Sequence, residues 1–409
     1  MKTEIPLVSE PIFLVGAERS GTTVLRLMLS HHPQIAWCNE FEYTVDRIPD
    51  GDDWPHLEDY YQWLETHRIF QATGFTIDRR LSYPQLVNSF LLQKQNQESK
   101  SLIGATVHRH FDKLLRIWSD ARFIHLVRDG RDVARSCIGM GWAGNVWTGV
   151  EGWIEAEQLW TQLKDIIPPE RRTEVTYETL ISEPTKTLTR LCEFIDVPYD
   201  EAMLSYAQNT TYDLPDPKLI QQWRRKLSED EIQLVESRIA AMLVDRGYEL
   251  SGLPSLDVTP AMARRLRFQD WYARVQFRIQ RQGLPLFFAE YFSRKLGFKS
   301  ISFGVNGVVG LIAIFGASLL PALSFVWLRY PASSWFNSKV ASAAVLVVVI
   351  TLYMVDCSLN NQPNPVFTLA SGGVAGVVLK GRESNKLRGV ATKAVVSRSL
   401  AQSRKYWHN

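Results

Sequence analysis

Cysteine is scarce in this chain, with four in 409 residues, at positions 38, 137, 192 and 357. Their scatter excludes a disulfide framework and offers no spacing for a zinc site, so reduced thiols are expected. Acidic residues are almost missing from the back of the chain. Residues 1–252 hold 27 Lys and Arg against 38 Asp and Glu, whereas 253–409 hold 19 against 5. An acidic front is thus joined to a basic, apolar back, which the formal net charge of +3 conceals. The first eleven residues lack an apolar core and carry Lys2, Glu4 and Glu10. That excludes a signal peptide and places the front in the cytosol as an expectation.

What the back contains between its charges is hydrocarbon, which points to an anionic membrane surface rather than nucleic acid as the partner of its basic residues. Residues 300–328 run 29 positions without a charge, and 340–355 form a second uncharged stretch rich in Val, Ile and Leu. Roughly 20 apolar residues cross a bilayer, so two spans are expected, about 301–328 and 338–357. A buried helical hairpin is the soluble alternative. The stretch 264–299 and the tail 380–405 are both basic, and two spans put both in the cytoplasm. The glycine-containing segment 366–379 is short for a third. Phe268, Trp271, Tyr272, Val275 and Ile279 fall on one face of a helix whose other face gathers Arg267, Arg274, Arg278 and Arg281. Such a helix either lies in the headgroup layer or docks on the front domain. The expected plan is a globular domain over 1–252, a linker with the basic amphipathic helix over 253–299, a transmembrane region over 300–379 and a cytoplasmic tail over 380–409. The expected location is the cytoplasmic (inner) membrane, multi-pass, with the front domain in the cytosol.

In the front, apolar runs at 11–15, 35–38, 122–127 and 173–177 read as strands. Helical patterns follow at 22–30, after Asp129, and at 184–195 and 229–243. This alternation predicts an α/β fold, a P-loop-type parallel sheet flanked by helices. Residues 46–101 are rich in Trp, Tyr and Gln and read as helical with little strand character.

Between the first strand and helix stands Gly16-Ala-Glu-Arg-Ser-Gly-Thr-Thr23. A glycine-rich turn at a helix start aims several backbone N–H groups at one point, where the helix dipole also favours an anion. The loop of nucleoside-triphosphate enzymes needs a Lys before its Ser or Thr, and here Thr22 follows Gly21 directly. Arg19 supplies a cation instead, with hydroxyls from Ser20, Thr22 and Thr23, so no metal is required. A second strand-to-helix junction reads Phe123-Ile-His-Leu-Val-Arg-Asp-Gly-Arg-Asp-Val-Ala-Arg-Ser136. Arg128 at the strand end and Ser136 two turns into the helix suit one phosphate, as a charged fork and a short donor. A structural ion pair with Asp is the alternative for Arg128.

Together the two junctions resemble the sulfotransferases that use 3'-phosphoadenosine-5'-phosphosulfate (PAPS), in particular the bacterial-type group around the tyrosine and carbohydrate sulfotransferases. The likeness continues through Val175-Thr-Tyr-Glu-Thr-Leu-Ile-Ser-Glu-Pro184 and ends near Trp223-Arg-Arg-Lys226 and Tyr248, covering about residues 8–250. It implies PAPS as co-substrate and no metal. It also implies a 5'-phosphosulfate site at Arg19, Ser20, Gly21, Thr22 and Thr23, a 3'-phosphate site at Arg128 and Ser136, and Tyr177 near the nucleotide. In the tyrosine sulfotransferase group a Glu after the first loop, beyond His-Pro and a short strand, is the base. Glu40 in His32-Pro-Gln-Ile-Ala-Trp-Cys-Asn-Glu40 matches that place.

A carboxylate just past a strand's C-terminal end can be desolvated enough to act as a base. His108 and His110, which match the base position of other sulfotransferases, remain alternatives, as does Glu42. Many relatives carry a Lys where this chain has Gly104-Ala-Thr-Val-His-Arg109, and Arg109 is the expected substitute. The function expected is sulfuryl transfer from PAPS to a hydroxyl of a glycan or lipid-linked glycan at the membrane face. A P-loop nucleotide kinase and a non-catalytic, membrane-anchored nucleotide-binding protein are the alternatives. A short likeness of 356–376 to bacterial polysaccharide polymerase or ligase segments favours a cell-surface polysaccharide, and Trp142, Trp147 and Trp153 either stack on sugars or, the favoured reading, pack as aromatics around the cleft. No nucleic-acid partner is expected, and the oligomeric state is not encoded.

Overall fold

The computed structural model describes residues 6–211 and 214–283. In chain order its elements are β1 (Ile12–Val15), α1 (Thr22–Ser30), β2 (Ile35–Cys38), α2 (Leu57–Thr66), α3 (Arg68–Thr73), α4 (Tyr83–Glu98), β3 (Leu102–Val107), β4 (Arg122–Val127), α5 (Gly130–Gly139), α6 (Val146–Gly149) and α7 (Glu151–Lys164). There follow β5 (Arg172–Thr176), α8 (Tyr177–Ser182), α9 (Pro184–Ile195), α10 (Tyr206–Asn209), α11 (Trp223–Lys226), α12 (Glu229–Asp245) and α13 (Pro260–Gln282). Contacts divide the chain into two compact units, Met1–Arg278 and Ile279–Asn409.

The five strands form one parallel sheet in the order β2-β3-β1-β4-β5. Every residue of β1 and β2 is buried, which is why these strands read as unbroken apolar runs rather than alternations. Two separate cores lie on the sheet. One gathers Phe13, Val15, Phe123 and Val127 with helical residues such as Phe90, Trp153 and Trp160, and the other gathers Ile12, Leu14, Ile124 and Leu126 with Leu25, Leu29 and Leu188. The alternation of β1 and β4 residues between these cores is the two-residue period of a strand.

Strand β3 was not expected. It lies between β2 and β1, with Trp37 of β2 packed over Gly104, where a Cβ would stand 2.2 Å from the Trp37 ring. The Trp37 indole donates to Thr106 Oγ1 at 3.0 Å. Over 46–101 the described elements are the helices α2, α3 and α4, and they bury Tyr60, Leu64, Phe70, Leu86 and Phe90 in the first core.

Because β1 is paired with β3 on one side and β4 on the other, connections leave it in both directions. Such a switch point opens a crevice at the C-terminal ends of the strands. The loop after β1, His108 after β3, Arg128 after β4 and Glu40 after β2 all lie at those ends.

Helix α13 docks through the face opposite its aromatic stripe. Asp270 accepts from Gly144 N at 2.7 Å and Thr148 Oγ1 at 2.9 Å, and Asn145 Nδ2 donates to Leu266 O at 2.8 Å. Phe268, Trp271 and Tyr272 face outward at 63%, 55% and 51% exposure.

The expected multi-pass placement in the cytoplasmic membrane, with its helical transmembrane region, is corrected. Among the described residues no helix is long and apolar enough to cross a membrane. The longest, α13, confines its apolar residues to part of its surface and carries six arginines, which no bilayer interior accepts unpaired. The expected spans 301–328 and 338–357, the segment 366–379 and the tail 380–409 lie outside the described residues.

Candidate active site

The loop joining β1 to α1 is shaped by three residues with positive φ, Gly16 (143°), Arg19 (69°) and Gly21 (96°). A Cβ on Gly16 would stand 2.3 Å from Leu126 O, and one on Gly21 would stand 2.3 Å from Tyr177 Cδ2. Glycine is therefore required at both by backbone angle and by close approach. Gly21 caps α1 without a side chain, which leaves the helix N-terminus open toward the loop. Arg19 adopts a conformation costly for a residue with a Cβ, and such strain gathers where geometry serves function.

Turned in this way, Arg19 reaches the second junction. Its Nε donates to Ser136 Oγ on α5 at 3.0 Å, and its carbonyl accepts from Arg128 Nη1 at 3.3 Å. Arg128 lies over the Tyr177 ring, 4.3 Å from its centroid, and contacts Asp132 at 3.6 Å. Tyr177 is buried against Gly21, and burial pushes its phenol up. The ion pair with an Asp, the alternative reading of Arg128, is present as its contact with Asp132. Thr23 is half-buried at the start of α1. Ser20 Oγ and Arg128 Nε are buried without a hydrogen-bond partner among the described residues. An orphaned buried donor is costly, and an acceptor at the loop would satisfy both.

The rest of the second junction holds this geometry. Arg131, fully buried, makes two bonds to the Asp129 carboxylate at 2.9 and 2.7 Å and one to Glu236 of α12 at 2.6 Å. Its guanidinium lies 3.6 Å from the Trp223 ring centroid. Asp132 accepts from Trp223 N at 2.7 Å. These bonds bring α11 against α5, where Arg19, Arg135, Ser136 and Lys226 line a cavity of about 440 Å³. Arg135 and Lys226 were not expected at the site. The basic run 224–226 is visible in the sequence, but nothing in its spacing foretells that a buried arginine ties it to α5.

On the other side of the loop, β3 ends at His108. His108 Nε2 lies 3.0 Å from Thr22 Oγ1, and its Nδ1 lies 2.5 Å from Glu42 Oε1. The same carboxylate oxygen accepts from His108 N at 3.0 Å. For Glu42 burial works against ionisation, yet the bond to and charge of His108 hold the carboxyl below its usual range. For His108 burial opposes its charge, but Glu42, joined by Glu18 and Glu40, holds the imidazole above its ordinary value.

Glu40 itself is exposed, so the expected desolvation is absent. It stands on the outer rim just past β2, while Glu42 is enclosed in a 3-10 turn, Glu42–Thr44. His110 is exposed in a left-handed conformation (φ 53°). Arg109 is bound to Asp46 at 2.8 and 2.7 Å and lies 4.0 Å from the carboxylate of Glu18 in the loop. The group that faces Thr22 where relatives were expected to carry a Lys is therefore His108. Trp142 stands on the open side of Arg19, 5.7 Å from guanidinium to ring centroid and 45% exposed.

Residues 11–201 match the sequence model of the sulfotransferase family, a span just under half of the chain. "Protein-tyrosine sulfotransferase A" of Caenorhabditis elegans is 26% identical over 217 residues, covering 48% of this chain and 52% of that protein. The zebrafish (Danio rerio) "Protein-tyrosine sulfotransferase 1" is 27% identical over 209 residues, 48% of this chain and 56% of its own length. The chain thus spans about half the length of the curated relatives it matches. Among solved structures, the sulfotransferase domain from the curacin biosynthetic pathway is 18% identical, with a TM-score of 0.45, covering 60% of this chain and 100% of that one. The loop after β1, His108, Arg128 and Ser136 lie within the residues that match the sulfotransferase family model, Trp223, Lys226 and Glu236 lie beyond them, and protein-tyrosine sulfotransferases are among the relatives of this chain.

Proposed function

We propose that this protein transfers a sulfuryl group from PAPS to an acceptor hydroxyl. The observation that carries the reading is the bridge from Arg19 to Ser136, which joins the loop after β1 to α5 in one basic site. A nucleotide bearing phosphates at both its 5' and 3' positions fits two such adjoining anion sites. The unpartnered Ser20 Oγ and Arg128 Nε supply donors for it. The family match over 11–201 and the names of the relatives favour the same chemistry.

In this reading the loop amides, Ser20, Thr22, Thr23 and Arg19 bind the 5'-phosphosulfate, and Arg128 and Ser136 the 3'-phosphate. Arg19 and the loop donors offset charge growing on the leaving phosphate oxygen as the sulfur–oxygen bond to it breaks. The acceptor oxygen attacks sulfur in line, and its proton passes to Glu40. Exposure suits Glu40 to meet an incoming acceptor. His108 is already bonded on both ring nitrogens, to Glu42 and Thr22, which disfavours it as the base.

The acceptor was expected to be a glycan, and Trp142 beside Arg19 offers a ring that a sugar could stack on. A tyrosine side chain is the second reading, favoured by the protein-tyrosine sulfotransferases among the relatives. Incubation of the protein with sulfur-labelled PAPS and separate glycan and protein pools tests both. Label in glycan supports the first, label in protein tyrosines the second, and label in neither pool counts against transfer.

A further inference from the structure

We infer that the proton carried by His108 sets the direction of the Thr22 hydroxyl, and through it the hold of the β1–α1 loop on its anion. The inference rests on the nucleotide-binding reading of that loop and adds a control that the reading does not contain.

Three groups form a chain, Glu42, His108 and Thr22, with contacts of 2.5 and 3.0 Å. Glu42 is buried and held ionised, so it only accepts, and His108 Nδ1 must be the donor to it. The state of Nε2 then decides the other contact. When His108 is an imidazolium, Nε2–H donates to Thr22 Oγ1, and the Thr22 hydroxyl hydrogen is released to point into the loop. When His108 is neutral, Nε2 is a lone pair that takes the Thr22 hydrogen, and Thr22 presents only oxygen lone pairs to an anion. One proton on His108 therefore converts Thr22 from a repelling acceptor to a donor, and adds a positive charge one side chain behind the site.

The surroundings keep that proton in place. Glu42 faces His108 from the 3-10 turn, Glu18 from the loop and Glu40 from the end of β2, and all three favour the charged ring. Arg109, the next residue, has its charge opposed by Asp46. The sign follows directly: a group whose pKa is raised keeps its proton below the ordinary imidazole value near 6.5 and loses it as pH climbs through the raised value. Nucleotide affinity should therefore fall on the alkaline side. The ligand's own phosphates have their second ionisation near pH 6 and are fully charged from about pH 7.5 upward, so they do not contribute to a fall in that range.

Calorimetric titration of the full chain with adenosine 3',5'-bisphosphate between pH 7.5 and 9.5 tests this. The wild type should lose affinity by about tenfold, the worth of one hydrogen bond to a charged group. Glu42→Gln, which removes the charge behind the ring, should move the fall to lower pH, and His108→Asn should flatten the curve. Near the midpoint, titrations in buffers of different ionisation enthalpy should show proton uptake on binding by the wild type. That measurement needs no variant to fold. Curves of the same shape and midpoint in all three proteins, or no proton uptake by the wild type, would overturn the inference while leaving the nucleotide site standing. Absence of binding at every pH would remove the nucleotide reading and this inference together.

Discussion

Arg19 Nε donates to Ser136 Oγ at 3.0 Å across 117 positions of sequence. The bond makes one site out of two junctions that the sequence presents separately. It also assigns a use to the left-handed backbone of Arg19, since that conformation turns the side chain from the loop toward α5.

Removal of either partner should weaken nucleotide binding. Arg19→Ala and Ser136→Ala are each expected to raise the dissociation constant for adenosine 3',5'-bisphosphate by about ten- to a hundredfold, the range for hydrogen bonds to charged groups. Arg19→Lys should rescue little, because a point charge cannot reproduce the planar fork that meets Ser136. Calorimetry on the three variants measures this.

Glu40→Gln should bind the nucleotide as the wild type does and lose turnover by about two to four orders of magnitude, the usual contribution of a general base. Glu40 is exposed and takes no part in the core, so its substitution should leave thermal unfolding unchanged. Unchanged turnover in this variant would move the base to His110.

Gly21→Ala should lower stability and nucleotide affinity together. Its φ of 96° and the 2.3 Å approach of a Cβ to Tyr177 force either the loop or the Tyr177 ring to move. A destabilisation of about 1–3 kcal/mol is expected, read by urea unfolding, and Tyr177→Ala in the same chain should recover part of the binding by relieving the clash.

A second prediction on stability concerns His125 in the middle of β4. His125 Nε2 lies 3.0 Å from Glu157 Oε1, both side chains are wholly buried, and Arg246 Nε donates to the same carboxylate at 2.5 Å. His125 also stacks on Trp160 at 4.5 Å. Burial opposes the charge of His125, but Glu157 and Glu174 hold its pKa above the usual imidazole value. Its contribution to stability is therefore present below about pH 6.5 and lost as pH rises through the raised value. Glu157→Gln should destabilise by about 3–5 kcal/mol, since it removes the carboxylate shared by the buried His125 and Arg246, and should weaken the alkaline fall in stability followed by tryptophan fluorescence.

The strands at 12–15, 35–38 and 122–127 were legible because a strand buried on both faces is a short, mostly apolar run closed by a glycine or a polar residue, here Gly16, Asn39 and Arg128. Strand β3 was not, because Gly104, Ala105 and Thr106 dilute its apolar character, and Gly104 is there to make room for Trp37, a contact between residues distant in sequence. The loop around Arg19 and the pair Arg128 and Ser136 could be located from local spacing, since turn, strand end and helix register are local properties. The bridge between them could not, nor could the Glu42–His108 contact across 66 positions. Glu42 read as an alternative base; in the structure it is buried and committed to His108. The amphipathic pattern of α13 was legible, but which face would dock was not: the polar Asp270, through bonds to Gly144 and Thr148, anchors the helix and leaves Phe268, Trp271 and Tyr272 outward.

The central claim, that one bisphosphorylated nucleotide spans both junctions, is tested most directly by comparing adenosine 3',5'-bisphosphate with adenosine 5'-monophosphate by calorimetry on the wild type and on Ser136→Ala. The account predicts that loss of the 3'-phosphate costs the wild type at least about tenfold in affinity and costs Ser136→Ala much less. Equal affinity of the wild type for the two nucleotides, or the same loss in both proteins, would contradict it.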